Sequence, residues 1–308
     1  MEAFLSPKDL ALAIGVSESS LKRWVDSGSL RAVKTEGGHR RIPIQEAVRF
    51  VRASKAVIVR PDLLGLEDVS QTALAEAPED REGQKLMRAL LSDDAATARG
   101  LILGGYLSGL GVGALFDGPL RSALEGIGEL WKHNEDGIWI EHRATDTCLQ
   151  AVQVLRSTMP EPAADAPIAV SAALSGDPYT LPPLLAGIVA TEAGFVARNL
   201  GPDTPVSALA RALERWVPGL VCVSVSTSHE AGQLAGLLRP IQEALLDMQG
   251  HLVVGGRAAY AREVPAGPNV SYAATMSELA AFARGLRSAP NLTSGRSRSA
   301  RATRRPRT

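Results

Sequence analysis

The sequence predicts a multidomain chain of α and α/β class: a winged helix-turn-helix head, a four-helix bundle and a Rossmann-like doubly wound parallel sheet. Three observations carry this. Two short helical stretches separated by Gly15 precede a run centred on Gly37-Gly38, the order of a helix-turn-helix and a hairpin wing. Between residues 81 and 159 the apolar residues recur at helical spacing. From residue 168 onward short apolar runs alternate with longer helical stretches, the pattern of a parallel sheet covered by helices. With 308 residues there is room for two or three domains.

The head, residues 1–55, is punctuated by local signals. Ser6 before Pro7 starts a helix over 5–13, and Gly15 ends it. Ser17 caps a second helix over 18–27, with Leu21, Trp24 and Val25 as its apolar face. Residues 30–42 read as a hairpin, and a third helix follows over 43–53. Across residues 4–53, the Ser-Pro opening, the Trp in the second helix and the Gly-Gly-His-Arg wing are similar to the DNA-binding domains of the MerR family. The resemblance implies a double-stranded DNA operator as partner. The second helix would then offer Ser19, Ser20, Lys22 and Arg23 to the major groove. Lys34, Thr35, His39, Arg40 and Arg41 on the wing would meet phosphates. The plain alternative is a solvated basic hairpin on an unrelated small domain.

Residues 56–80, with Pro61, Pro78 and several acids, read as a linker. The bundle occupies 81–160, with helices over 84–91, 95–108, 115–133 and 138–158. The last two are joined by the turn Asn134-Glu135-Asp136-Gly137 and must run antiparallel. That brings Trp131, Glu141 and His142 to one end of the bundle. An indole wall with a carboxylate and an imidazole suits a flat, partly apolar ligand. A core Trp beside an exposed Glu-His pair is the rival reading.

After a Pro-Ala-rich joint at 160–167 the sheet domain runs over 165–287. Strands are expected over 168–172, 195–199, 220–225 and 251–254. They alternate with a helix ending at 192 and with helices over 206–216, 232–248 and 276–286. Ligands of such sheets bind at the carboxyl ends of the strands. The loops at 175–183, 201–205, 226–230 and 255–258 therefore matter most.

Trp131, nine residues, then Glu141-His142 resembles the signature of the light-sensing cobalamin-binding domains of CarH-type regulators, and a bundle and sheet behind a MerR-like head is their layout. The resemblance implies adenosylcobalamin as cofactor, with Trp131, Glu141 and His142 against its upper face. It also implies a homo-oligomer, dimer or tetramer, whose assembly and operator binding follow ligand or light, and no catalysis. In the family an Asp-x-His-x-x-Gly loop ligates cobalt from below, and a Ser-x-Thr/Leu pair and a Gly-Gly house the nucleotide tail. Ser224, Ser226, Gly255 and Gly256 have these tail positions here, and Asp177 opens the loop. Tyr179 stands where the His should be, and Pro182 where the Gly should be. A phenol must lose a proton with a pKa of about 10 before it competes with an imidazole for a metal. Three outcomes follow: cobalamin held without a lower His, another tetrapyrrole such as biliverdin or haem, or no cofactor. His133, His142, His229 and Cys222 are available to a substitute ligand, with His142 the candidate metal ligand. The remaining rivals are a corrinoid-handling methyltransferase module and a regulator whose ligand-free domain serves only protein contacts.

Charge divides the chain as the elements do. The net charge of zero conceals +4 over residues 1–55, −10 over 56–287 and +6 over 288–308. A basic head and a basic tail on an acidic body point to a polyanion at one end and a different task for the body. The tail, six Arg among Ser, Thr, Ala and Pro, is too polar to fold by itself. Two cysteines, on a helix and a buried strand, argue against a disulfide framework and for a cytoplasmic protein. Apolar runs fall short of the roughly 20 residues that span a bilayer, so no membrane partner is expected.

Overall fold

The computed structural model describes residues 4–69, 79–130, 136–230 and 232–288. The expected disordered tail, most of the 70–80 stretch and Trp131 and His133 lie outside these residues.

The head comprises β1 (Phe4–Leu5), α1 (Pro7–Ala13), α2 (Glu18–Asp26), β2 (Val33–Lys34), β3 (Arg40–Pro43) and α3 (Ile44–Ser54). Ser6 accepts from the Asp9 N–H and Ser17 from the Ser20 N–H, each satisfying a donor that the first helical turn leaves unpaired. β3 pairs antiparallel with β1 on one side and β2 on the other. The wing turn closes through Gly38 N–H to the Thr35 carbonyl at 2.8 Å, with Gly38 at φ +77°. Leu10, Leu21, Leu30 and Ile42 are fully buried beneath it.

Residues 56–69, expected to be linker, form a packed strap. A 3-10 turn, Pro61–Leu64, lies within it, and Ile58, Leu64, Leu66 and Val69 are buried. The Val59 and Arg60 N–H groups both donate to the Ala13 carbonyl, which anchors the strap to α1. Its far end seats on the bundle, where Asp68 pairs with Arg99 at 2.7 Å and its carbonyl oxygen occupies the space a Cβ on Gly100 would need.

The bundle contains α4 (Glu79–Leu91), α5 (Ala95–Leu107), α6 (Val112–Leu115), α7 (Arg121–Leu130) and α8 (Asp136–Thr158). The expected third helix is interrupted by a π-turn over Phe116–Leu120 that contains Pro119. Proline lacks the N–H that a regular turn requires, and such bulges are frequent at functional sites.

The third unit consists of β4 (Ile168–Leu174), α9 (Leu181–Glu192), β5 (Val196–Thr204), α10 (Val206–Trp216), β6 (Leu220–Ser224), α11 (Gln233–Asp247), β7 (His251–Gly255), β8 (Val270–Ala273) and α12 (Met276–Ser288). All neighbours in the sheet are parallel, in the order β5-β4-β6-β7-β8. β8 was not expected from the sequence. Strand order reverses between β4 and β6, so the crevice for a ligand opens beyond their carboxyl ends. One apolar core runs without a break from the head through the bundle to one face of the sheet, and a second lies under α10 and α11.

Candidate functional site

Two surfaces carry the expected chemistry. On the head, Ser19, Lys22 and Arg23 of α2 are exposed and Ser20 is half-buried. The Ser19 and Ser20 hydroxyls lie 2.8 and 3.1 Å from Ser17 Oγ, so both share in the helix cap. Lys34, Thr35, His39 and Arg41 are exposed on the wing. Thr35 Oγ1 also accepts from the His39 N–H at 3.2 Å and stiffens the turn. Arg40 is half-buried, and its Nη2 donates to Asp26 Oδ1 at 2.6 Å, which ties the wing to the end of α2.

The second surface is a cavity of about 600 Å³ between bundle and sheet. Its bundle wall is built by Phe116 and Asp117 of the π-turn, Leu120, Leu124 and Gly128, with Glu141 and Thr145 from α8. Its sheet wall comes from the ends of four strands, with Tyr179, Ser224, Ser226, Gly255, Gly256 and Arg257 among them. Leu181, Pro182, Leu185 and Ala186 add the first turns of α9. The size falls within the range of small-molecule sites, and the wall is mainly apolar.

Polar groups at the cavity floor are already committed. Asp177 is 2% exposed and does not line the cavity; Oδ2 accepts from the Ser226 N–H at 2.6 Å and Oδ1 from the Tyr179 N–H at 3.2 Å. It fastens the loop after β4 to the loop after β6. Arg257 stacks over the Tyr179 ring at 4.6 Å, donates to its hydroxyl at 2.6 Å, and donates from Nε to the Ser226 carbonyl at 3.1 Å. Gly255 and Gly256 need their missing side chains for the protein's own packing. A Cβ on Gly255 would overlap the Ala273 carbonyl, and one on Gly256 would strike Val225, 2.7 Å from its nitrogen.

Residues 4–55 match the family model described as a helix-turn-helix domain. The head is a helix-turn-helix domain. No curated protein matches the chain. Among solved structures, the monomethylamine corrinoid protein of Methanosarcina barkeri is similar with a TM-score of 0.52 and 14% identity, over 68% of this chain and 100% of that one. A cobalamin-binding protein from Desulfitobacterium hafniense DCB-2 (TM-score 0.34, 14% identity, 68% of this chain and 98% of that one) also matches. So does the methanol:cobalamin methyltransferase complex MtaBC of Methanosarcina barkeri (0.35, 14%, 74% and 94%). At this identity the first likeness is one of fold, and the body behind the helix-turn-helix domain has the bundle-and-parallel-sheet architecture of that corrinoid protein.

The cavity brings together Glu141, Tyr179, Ser224, Ser226, Gly255, Gly256 and Cys222 of the sequence candidates. His142 is exposed on α8 and does not line it, and neither does half-buried His229. The metal role of His142 is therefore corrected. Among the described residues no cluster of three or more His, Cys, Asp or Glu is arranged for a metal ion. Burial pushes the Cys222 thiol up to about 12, which keeps it protonated and a poor ligand. Sequence reasoning missed Arg257 and Asp117. Arg257 follows the Gly-Gly pair in the loop at 255–258 that the sequence marks, but nothing local distinguishes it. Asp117 accepts from the Met276 and Ser277 N–H groups at 2.8 Å each, capping α12 from the bundle side, 159 residues away in sequence.

Proposed function

We propose that the chain is a MerR-like DNA-binding transcriptional regulator whose body senses a flat, mainly apolar ligand of tetrapyrrole class, in the manner of CarH-type regulators. The observation that carries the reading is the cavity itself: it lies at the strand-order reversal, is walled by two structural units, and belongs to a chain that begins with a helix-turn-helix domain. A ligand there contacts both units at once, so its binding energy bears on how they sit together. The reading assigns no catalysis to the chain, and it places control in the oligomeric assembly of heads on duplex DNA, where paired heads gain by effective concentration.

The described residues do not fit a corrin ligated from below. Position 179 holds a phenol engaged by Arg257, no histidine among the described residues lines the cavity, and the two glycines are filled by the chain's own backbone. A bilin meets no such objection, and a cobalamin held without a protein ligand meets only the last. Haem would lack an axial nitrogen from these walls. Light enters only through a bound chromophore, so absorption spectra with adenosylcobalamin and with biliverdin, in the dark and after illumination, read both parts of the proposal.

Filling the cavity tests control without knowing the ligand. Ala186 is buried on the cavity wall. Ala186→Phe should occupy ligand space and weaken duplex binding at least about fivefold, the lower end of typical coupling between sites. Fluorescence anisotropy of a labelled duplex measures it. A folded Ala186→Phe protein with unchanged affinity would detach the cavity from the head.

A further inference from the structure

Arg52 belongs to α3 of the head, yet its guanidinium is spent on the body. It donates to the carbonyls of Tyr106 and Leu110, the latter at 2.9 Å, and lies 3.7 Å above the centre of the Tyr106 ring. Its Nη2 also reaches Glu192 Oε1 at 3.4 Å, with both side chains less than one-fifth exposed. Glu192 is the last residue of α9, and its carboxylate accepts from the Val112 N–H at 3.1 and 3.3 Å, capping α6. Head, bundle and sheet thus meet at one ion pair.

α9 makes this junction more than an anchor. Its first turns, Leu181, Pro182, Leu185 and Ala186, line the cavity, and Glu192 ends it about 9–16 Å further along at 1.5 Å per residue. Nearly all of the helix is buried, and Gly187 packs closely on β4, where a Cβ would sit 3.0 Å from Ser171 Oγ. Packed helices move as units, by shifts of an ångström or two, because cores are not continuously deformable. The bundle is held to the sheet elsewhere: Gly113 of α6 rests on the Ser277 backbone, and Asp117 caps α12. The ion pair between Arg52 and Glu192 is where a polar side chain of α9 directly meets one of the head. Lys22 and Arg23 of α2 and Lys34 and Arg41 of the wing take no part in this contact and are exposed.

We propose that Arg52 and Glu192 form a latch that fixes the helix-turn-helix domain on the body and is released, through α9, when the cavity fills. The proposal rests on the reading of the cavity as a ligand site. Release loosens the head and lowers its effective concentration on DNA.

The experiment is a double-mutant cycle on the full chain, with anisotropy of a labelled duplex as readout. Arg52→Met opens the latch, and Glu192→Gln does so while keeping an acceptor for the Val112 N–H. Each should weaken binding about as much as Ala186→Phe does, and combining either with Ala186→Phe should add less than twofold. Förster transfer between dyes at Glu36→Cys and Glu161→Cys reports the head's position directly, since Cys148 and Cys222 are buried. Transfer should fall in all three single variants. Fully additive losses, or transfer unchanged by Arg52→Met and Glu192→Gln, overturn the latch and leave control by the cavity standing. An Ala186→Phe protein that is folded and binds DNA like wild type removes the functional reading, and the latch with it.

Discussion

Gly256→Ala is expected to destabilise the protein by about 4 kcal/mol, the sum of backbone strain and overpacking of roughly 1–3 kcal/mol each. Gly256 sits at φ +116°, where an L side chain is strained, and its Cβ would run into the Val225 backbone. Neither neighbour yields easily. The Val225 N–H donates to the Gly255 carbonyl at 2.8 Å, and its carbonyl accepts from Ala258 at 3.0 Å. The loss should appear in a thermal melt as a fall in Tm of roughly 10 °C for a unit of this size. Gly128→Ala is the matched control: it lines the same cavity, is helical, and a Cβ there meets nothing within 4 Å. It should stabilise by up to about 1 kcal/mol. If Gly256→Ala melts like wild type yet loses a ligand, the glycine serves the ligand and the packing account of the cavity floor is wrong.

The second large effect is expected at Asp177. Its buried carboxylate receives two backbone N–H groups from different loops, and its own carbonyl accepts from Asp203 at 2.9 Å. Asp177→Ala strands the buried Ser226 N–H. Hydrogen bonds to a charged group contribute about 1.5–3 kcal/mol, and an unpaired buried donor adds a penalty of similar size, so a loss of about 3 kcal/mol is expected. Asp177→Asn should lose less, because its amide oxygen still accepts one of the two bonds. Urea denaturation of the three proteins measures the order. Equal midpoints for wild type and Asp177→Ala would return Asp177 to the list of ligand groups.

What the sequence made legible was mostly local. Ser6, Ser17 and Gly37-Gly38 act through the few residues beside them, and caps and turn follow from their chemistry. The alternation of strands and helices was equally plain, and the parallel sheet followed from it. β8 escaped because Val270–Ala273 is short and follows Pro268-Asn269, so it offers little period to detect. The strap at 56–69 looked like linker because Pro61 and three acids hide four buried apolar residues. At the site, Tyr179, Ser224 and Ser226 line the cavity, while the bonds they make depend on partners far away. Arg257 is 78 residues from Tyr179, and Arg52 is 140 from Glu192. No periodicity or spacing encodes such pairs. Asp177 entered the site through the resemblance, as the first residue of the Asp-x-His-x-x-Gly loop, and the two N–H groups its buried carboxylate accepts come from partners no motif specifies.

The account stands or falls on whether the helix-turn-helix head grips duplex DNA through its wing. The direct measurement is the affinity of the full chain for a labelled duplex across a salt series, for wild type and for Lys34→Ala/Arg41→Ala. Both residues are exposed on the wing, away from the core. Each phosphate contact removed lowers the slope of log affinity against log salt by about 0.9. The account predicts a slope shallower by roughly two units, with weaker binding to every sequence tested. An unchanged slope and unchanged affinity in a folded double variant would contradict it.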